Sequence, residues 1–293
     1  MQRIQQIRVR KRARLMTPKP SLLFVHGLGA DGTYWGEVRS LLSRYESYAY
    51  DQRGHGKTPL GNEELTLDRL AGDLGAIVRS SPVPGPVVLV GHSAGGAAIL
   101  RLAALEPTLF GSESEIVGVV LVSASRLDLR CSVSGYPGRL LERALLSLPS
   151  IALRNERRGY FGRLTAHGAT KAIRVISTWR WPLYGAGASR GARYKFSTML
   201  SSTPPYTLSV MLGLLSRFSL PNLAAMRRVP VLIAAGEGDR IASRTYMRLL
   251  SEELPSARLA VIPRAGHLLP LECPEELSRE IQKFLDTLCK EGK

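Results

Sequence analysis

Short apolar runs alternating with helically spaced stretches organise this chain. Ser21–Val25, Ser47–Tyr50, Val87–Val90, Ile116–Val122, Val231–Ala235 and Ala257–Ile262 read as strands. Ile116–Val122 is apolar or glycine throughout, the mark of a strand covered on both faces. Between the strands, apolar residues recur at helical spacing over about Tyr34–Arg44, Leu67–Arg79 and Gly96–Leu105. Pro274–Cys289 closes the series, with Leu277, Ile281, Phe284, Leu285 and Leu288 on its apolar face. Strands alternating with helices at this spacing predict an α/β protein with a mostly parallel sheet flanked by helices.

From about Ser125 the pattern changes. Residues 126–221 contain no comparable strand and read as helices over Arg139–Leu148, about Arg163–Ser177, and Thr207–Phe218. Two glycine-bearing breaks, Gly185-Ala186-Gly187 and Ser189-Arg190-Gly191, interrupt them. The expected organisation is therefore a core of residues 21–125 and 222–293 with a helical insertion at 126–221. Residues 1–20 fit an edge strand, a basic arm or an organelle-targeting segment.

Length and composition set the scale. The chain has 293 residues, 44% of them hydrophobic, enough for one large domain with a real core. No run of about 18 apolar residues is present to span a membrane. Cys131, Cys273 and Cys289 are scattered and odd in number. That spacing argues against a disulfide framework or a zinc site and suits a reducing compartment. The Arg-rich start lacks an apolar stretch of the secretory kind, so a cytoplasmic location is expected, with peripheral membrane contact as a variant.

Charge changes the picture more. There are 40 Lys and Arg against 24 Asp and Glu, a net +16. The excess is not uniform: residues 1–20 hold seven basic and no acidic side chains, and residues 126–221 hold fifteen basic and three acidic. A near-neutral body thus carries a basic arm and a basic insertion.

The chemistry centres on Gly91-His92-Ser93-Ala94-Gly95, a G-x-S-x-G motif between a predicted strand and a predicted helix. Such a turn lifts a serine hydroxyl out of a sheet edge as a nucleophile. Serine needs a general base, and the base needs a carboxylate to fix its tautomer. His267, in Pro263-Arg264-Ala265-Gly266-His267, follows the Ala257–Ile262 strand and is the candidate base. Asp239, in Gly236-Glu237-Gly238-Asp239-Arg240, follows the Val231–Ala235 strand and is the candidate acid. Glu237 in the same loop and Asp128 after Ile116–Val122 are the alternatives. Backbone N–H groups of Ala94 and of Leu28, in His26-Gly27-Leu28-Gly29, are the candidate oxyanion donors.

These motifs, together with Asp51-Gln52-Arg53-Gly54-His55-Gly56, resemble the α/β-hydrolase superfamily from about Leu22 to Leu288, apart from the insertion. The resemblance implies a Ser-Asp-His triad, no metal, no cofactor, and a helical cap (lid) where 126–221 lies. It makes Asp51, Arg53 and His55 turn-holding residues. His92 is expected to pack beneath the elbow, and His26 to orient the oxyanion loop. The N-terminal strands usual in the family look shortened. A serine at the elbow disfavours the dehalogenase and epoxide hydrolase reactions, which use a carboxylate there.

The leading expectation is a serine hydrolase cleaving a carboxylic ester, thioester or related acyl bond through an acyl-enzyme on Ser93, with a hydrophobic acyl group. C–C bond hydrolysis and acyl transfer use the same triad. The rival from another class is a non-catalytic ligand-binding or scaffold protein of this fold. The basic insertion is open to three readings: a solvated face, a surface for anionic membrane, or a dock for an acidic carrier. Nucleic acid is not expected, since aromatics are only 6% and no nucleic-acid module is visible.

Overall fold

The computed structural model describes residues 19–80, 82–124, 183–242, 244–254 and 256–291. Six strands form one sheet: β1 Ser21–Val25, β2 Ser47–Tyr50, β3 Val87–His92, β4 Ile116–Val122, β5 Val231–Gly236 and β6 Ala257–Ile262. Their order is β2-β1-β3-β4-β5-β6, and every pairing is parallel. The chain leaves β1 toward one edge and continues from β3 toward the other, so β1 and β3 flank a topological switch point. Ligands bind at such points, beyond the carboxyl ends of the strands.

Side chains alternate across the sheet and feed two cores. Leu23, Val25, Leu89, Val119, Leu121 and Ile233 face one layer. Leu22, Phe24, Val88, Val90, Val120 and Leu232 face the other. Among the described residues the helices are α1 Gly36–Leu41, α2 Leu67–Ser80, α3 Ala94–Leu105, α4 Arg190–Ser202, α5 Pro205–Ser216, α6 Arg244–Glu253, α7 Leu269–Glu272 and α8 Pro274–Glu291. α3 is buried almost all round and lies centrally in the first layer. α8 closes the second with Leu277, Ile281, Phe284 and Leu285.

The strand expectations agree with the structure, apart from the last residues of β3 and β5. The helices depart from expectation in several places, among them α7, which was not expected, and α5, which lies two residues earlier than Thr207–Phe218. Tyr34–Arg44 is a 3-10 turn, Gly32–Trp35, followed by the shorter α1. Asp31 caps that turn, and Tyr34 and Trp35 are buried in it. Ser189-Arg190-Gly191 is the start of α4 rather than a break: the Ser189 side chain accepts the Ala192 N–H, an N-cap satisfying an otherwise free donor. α6 was not expected at all, although Met247, Leu250 and Leu254 bury one face of that segment. The expected helices at Arg139–Leu148 and Arg163–Ser177 lie outside the described residues, as do Asp128, Cys131 and residues 1–18.

α4 and α5 come between β4 and β5 in the chain and lie over the switch point. Gly29, at φ +73°, faces the Leu200 and Leu208 side chains, and a Cβ on Gly54 would meet Thr207. The second half of the 126–221 segment therefore rests on the loops that follow β1 and β2.

Candidate active site

β3 ends at His92, and Ser93 turns the chain into α3 with φ 50° and ψ −114°. A non-glycine residue at positive φ is strained, and such strain clusters at functional sites. The turn closes only because its flanks are glycine. A Cβ on Gly91 would lie 2.9 Å from backbone atoms of Gly95 and Gly96, and one on Gly95 would collide with the Val25 carbonyl oxygen. The elbow is thereby pressed against the end of β1.

Three sheet ends converge on Ser93. The Asp239 loop follows β5 and the His267 loop follows β6. His267 Nδ1 lies 3.0 Å from Asp239 Oδ2, and His267 Nε2 lies 3.0 Å from Ser93 Oγ. The carboxylate can only accept, so Nδ1 carries the proton and Nε2 presents its lone pair to the serine hydroxyl. Asp239 and His267 are both buried. Burial alone would push the Asp239 carboxyl up. His267, with the N–H groups of Ala242 and Ile241 at 2.9 and 2.8 Å, outweighs it and holds the group below the usual carboxylate value. Asp239 thus remains an anion in a dry setting, bonded to His267 Nδ1. Glu237 sits elsewhere: its Oε2 accepts the Arg264 N–H at 3.3 Å.

Ala94 is the first residue of α3, so its N–H has no partner within the helix and stands at the positive end of the helix dipole. The His26–Gly29 loop lies alongside, since a Cβ on Gly27 would come 3.2 Å from Ser93 Cβ. Its conformation is set by His26. Nδ1 donates to the Gly27 carbonyl at 2.8 Å and Nε2 accepts the Gln52 N–H at 2.9 Å. Gln52 Nε2 in turn donates to the His26 carbonyl at 2.5 Å. Burial, with His55 nearby, pushes His26 down to about 3, so the ring stays neutral. It is a bracket for the loop, in the position the sequence assigned to it.

His92 packs under the elbow as expected. Its Nε2 donates to the His267 carbonyl at 2.9 Å, and its ring stands 5.0 Å from those of Tyr34 and His267. Burial and the neighbouring His267 bring it down to about 3. Asp51 accepts the Gly32 and Lys57 N–H groups at 2.7 and 2.8 Å, and Arg53 forks onto Asp73 with two bonds of 2.8 Å. His55 bonds within the same turn, with Nδ1 3.2 Å from the Arg53 carbonyl. These three residues hold the turn after β2.

Sequence reasoning passed over Glu272. Its carboxylate accepts the Gly185, Gly266 and Leu268 N–H groups at 2.7, 3.0 and 2.9 Å, on both sides of His267. The available signal was an acidic residue within Leu268-Leu269-Pro270-Leu271-Glu272, an otherwise apolar stretch where an unpaired charge would be costly. Among the described residues no cluster of His, Cys, Asp and Glu could hold a metal ion. No helix among them is long and apolar enough to cross a membrane. Cys273 and Cys289 are free.

Comparison with known proteins agrees with this fold. Protein phosphatase methylesterase 1 of Mus musculus is 26% identical, covering 91% of this chain and 75% of its own. The magnesium-chelatase 30 kDa subunit of Rhodobacter capsulatus is 29% identical, covering 91% and 87%. A solved thermophilic esterase of Thermogutta terrifontis superposes with a TM-score of 0.69 at 22% identity, covering 92% of this chain and 90% of its own. The model of the alpha/beta hydrolase family matches residues 22–280. The chain is a member of the alpha/beta hydrolase family.

Proposed function

We propose that the protein is a serine hydrolase that cleaves a carboxylic ester, thioester or related acyl bond. One observation carries the reading: an unbroken hydrogen-bonded line from Asp239 through His267 to Ser93, placed at the switch point of the sheet. Ser93 Oγ attacks the acyl carbon and its proton passes to His267 Nε2. Negative charge gathers on the carbonyl oxygen, where the Ala94 and Leu28 N–H groups donate. The tetrahedral intermediate collapses as Nε2 returns the proton to the leaving group. Water then attacks the acyl-enzyme with His267 again as base, restoring the hydroxyl. Asp239 remains ionised and keeps the imidazole in the tautomer that both steps need.

Residues 126–221 form the cap in this reading. Leu200 and Leu208 beside Gly29 put apolar side chains over the oxyanion loop, which favours a hydrophobic acyl group. The fifteen basic side chains of residues 126–221 are read as a solvated face, with docking on an anionic membrane surface or an acidic acyl carrier as the alternatives. The methylesterase among the relatives supports ester cleavage. The chelatase subunit, named for an assembly and not for ester cleavage, favours a second reading, a non-catalytic ligand-binding or scaffold protein of this fold.

A fluorophosphonate probe separates the two. The hydrolase reading expects a covalent adduct on Ser93 in folded protein, seen by intact-mass and peptide mass spectrometry. No adduct would leave the binding reading. An ester panel of increasing acyl length, run with and without anionic vesicles and with Ser93→Ala as blank, then sizes the pocket. Salt-sensitive activation by vesicles supports the membrane role, and its absence removes that role.

A further inference from the structure

The geometry points to Glu272 as a positioning residue for His267. It anchors the backbone on both sides of the base and fastens that backbone to the 183–187 segment. This inference rests on the proposed function, because it assigns a residue to the working of the same triad.

The loop that presents His267 has little structure of its own. Arg264 within it adopts φ 60°, in the left-handed region. Its neighbours lie on two other segments. The Gly238 N–H donates to the Ala265 carbonyl at 2.8 Å. The His267 N–H donates to the Leu183 carbonyl at 2.8 Å, and the Gly187 N–H reaches the Arg264 carbonyl at 3.3 Å. Backbones touch so closely that a Cβ on Gly266 would lie 2.5 Å from the Tyr184 carbonyl carbon, and one on Gly185 as near to Ala265 and Gly266.

Backbones stacked in this way leave amides pointing inward, and a single carboxylate collects them. Oε2 takes the Gly185 and Gly266 donors and Oε1 takes Leu268. Residues 266 and 268 are the immediate neighbours of His267. The direction of the imidazole toward Ser93 is thus set from below by Glu272 and from the side by Asp239. Loss of Glu272 would leave these three N–H groups without their partner and free the base to turn.

Burial raises the Glu272 carboxyl above the usual glutamate value, against the pull of its three amides and of His267. Tyr34 and Tyr184 face it from the turn before α1 and from the 183–187 segment, and Arg193 of α4 lies over the Tyr184 ring. A raised folded value means that its contribution to stability is full below the unfolded value and is lost as pH rises through the folded one. The ionised carboxylate is therefore not favoured by the fold as a whole, which suits a group that serves the site.

The test uses the full chain as parent, Glu272→Gln and Glu272→Ala. Each is titrated on Ser93 with a fluorophosphonate so that rates refer to folded, reactive sites. Hydrolysis of p-nitrophenyl butyrate is then read as kcat and KM. Misaiming the base should lower kcat per titrated site by roughly 10-fold for Gln and 100-fold for Ala, with KM within about twofold. Ser93 labelling should slow in step. A kcat per site within twofold of the parent in both variants overturns the proposal, as does a rise in KM alone. Should neither variant fold, Glu272→Asp is read the same way, since its shorter side chain cannot reach all three amides. An unlabelled parent would instead sink the hydrolase reading itself, so the two failures are distinct.

Discussion

The elbow and the base loop stand side by side at one sheet edge, yet they are built in opposite ways. The elbow is one unbroken run, β3, Ser93 and α3, whose fold is written in its own residues even though the end of β1 presses against it. The base loop is held by residues far away in the chain: Asp239 is 28 positions from His267, and Leu183 is farther still. Glu272 closes the assembly from the far side. The elbow's geometry is enforced by strain and by glycine. The base loop's geometry is enforced by hydrogen bonds to the Asp239 and Glu272 carboxylates. A local device should fail by losing its own residue, and an assembled one should fail by degrees as partners are removed.

The largest effect expected tests the local half. Ser93→Ala should cut kcat by roughly 10⁵–10⁶ while circular dichroism and melting stay near the parent. Residual turnover close to the parent would move the nucleophile elsewhere. Next comes the assembled half: Asp239→Asn should cost about 10⁴ in kcat, because the amide no longer enforces the Nδ1–H tautomer. A small loss there, with a large one for Asp128→Asn, would transfer the acid to Asp128.

A third prediction separates stability from turnover. The Asp239 carboxyl is held below its ordinary value, so its ionised form favours the fold above the usual carboxylate range. That contribution is lost as pH falls through the lowered folded value. The stability gap between parent and Asp239→Asn should therefore be widest near neutrality and narrow on acidification. A gap constant with pH, measured by urea unfolding, would contradict the assignment. The smallest effect is expected for Glu237→Gln, where kcat should stay within about twofold, because an exposed bond to one amide contributes little.

The same contrast explains what was legible in the sequence. Parallel strands and the elbow could be read from short windows, since apolar runs and small residues there report directly on burial and close approach. His267 and Asp239 could be placed because each follows its own strand and the fold brings strand ends together. Glu272 could not be placed this way, because its partners are backbone amides, which leave no trace in residue types. The start of α4 was misread for a related reason: Ser189 and Gly191 signal a break equally well when they cap a helix. α6 was missed although its apolar spacing was there to read, because the strongly charged segment drew no comparison with a helix template. The proposed substrate could not be read from short windows, because Leu200 and Leu208 come from two different helices to meet over one loop.

The positive φ of Ser93 has a consequence for the molecule as a material. A strained non-glycine residue costs on the order of 1–3 kcal/mol, which glycine would not incur at these angles. Glycine's extra freedom in the unfolded chain returns only about 0.4–1 kcal/mol of that. Ser93→Gly should accordingly melt above the parent while being inert. The chain would be sturdier with no side chain at this position, and selection for thermal endurance alone would tend to place glycine there.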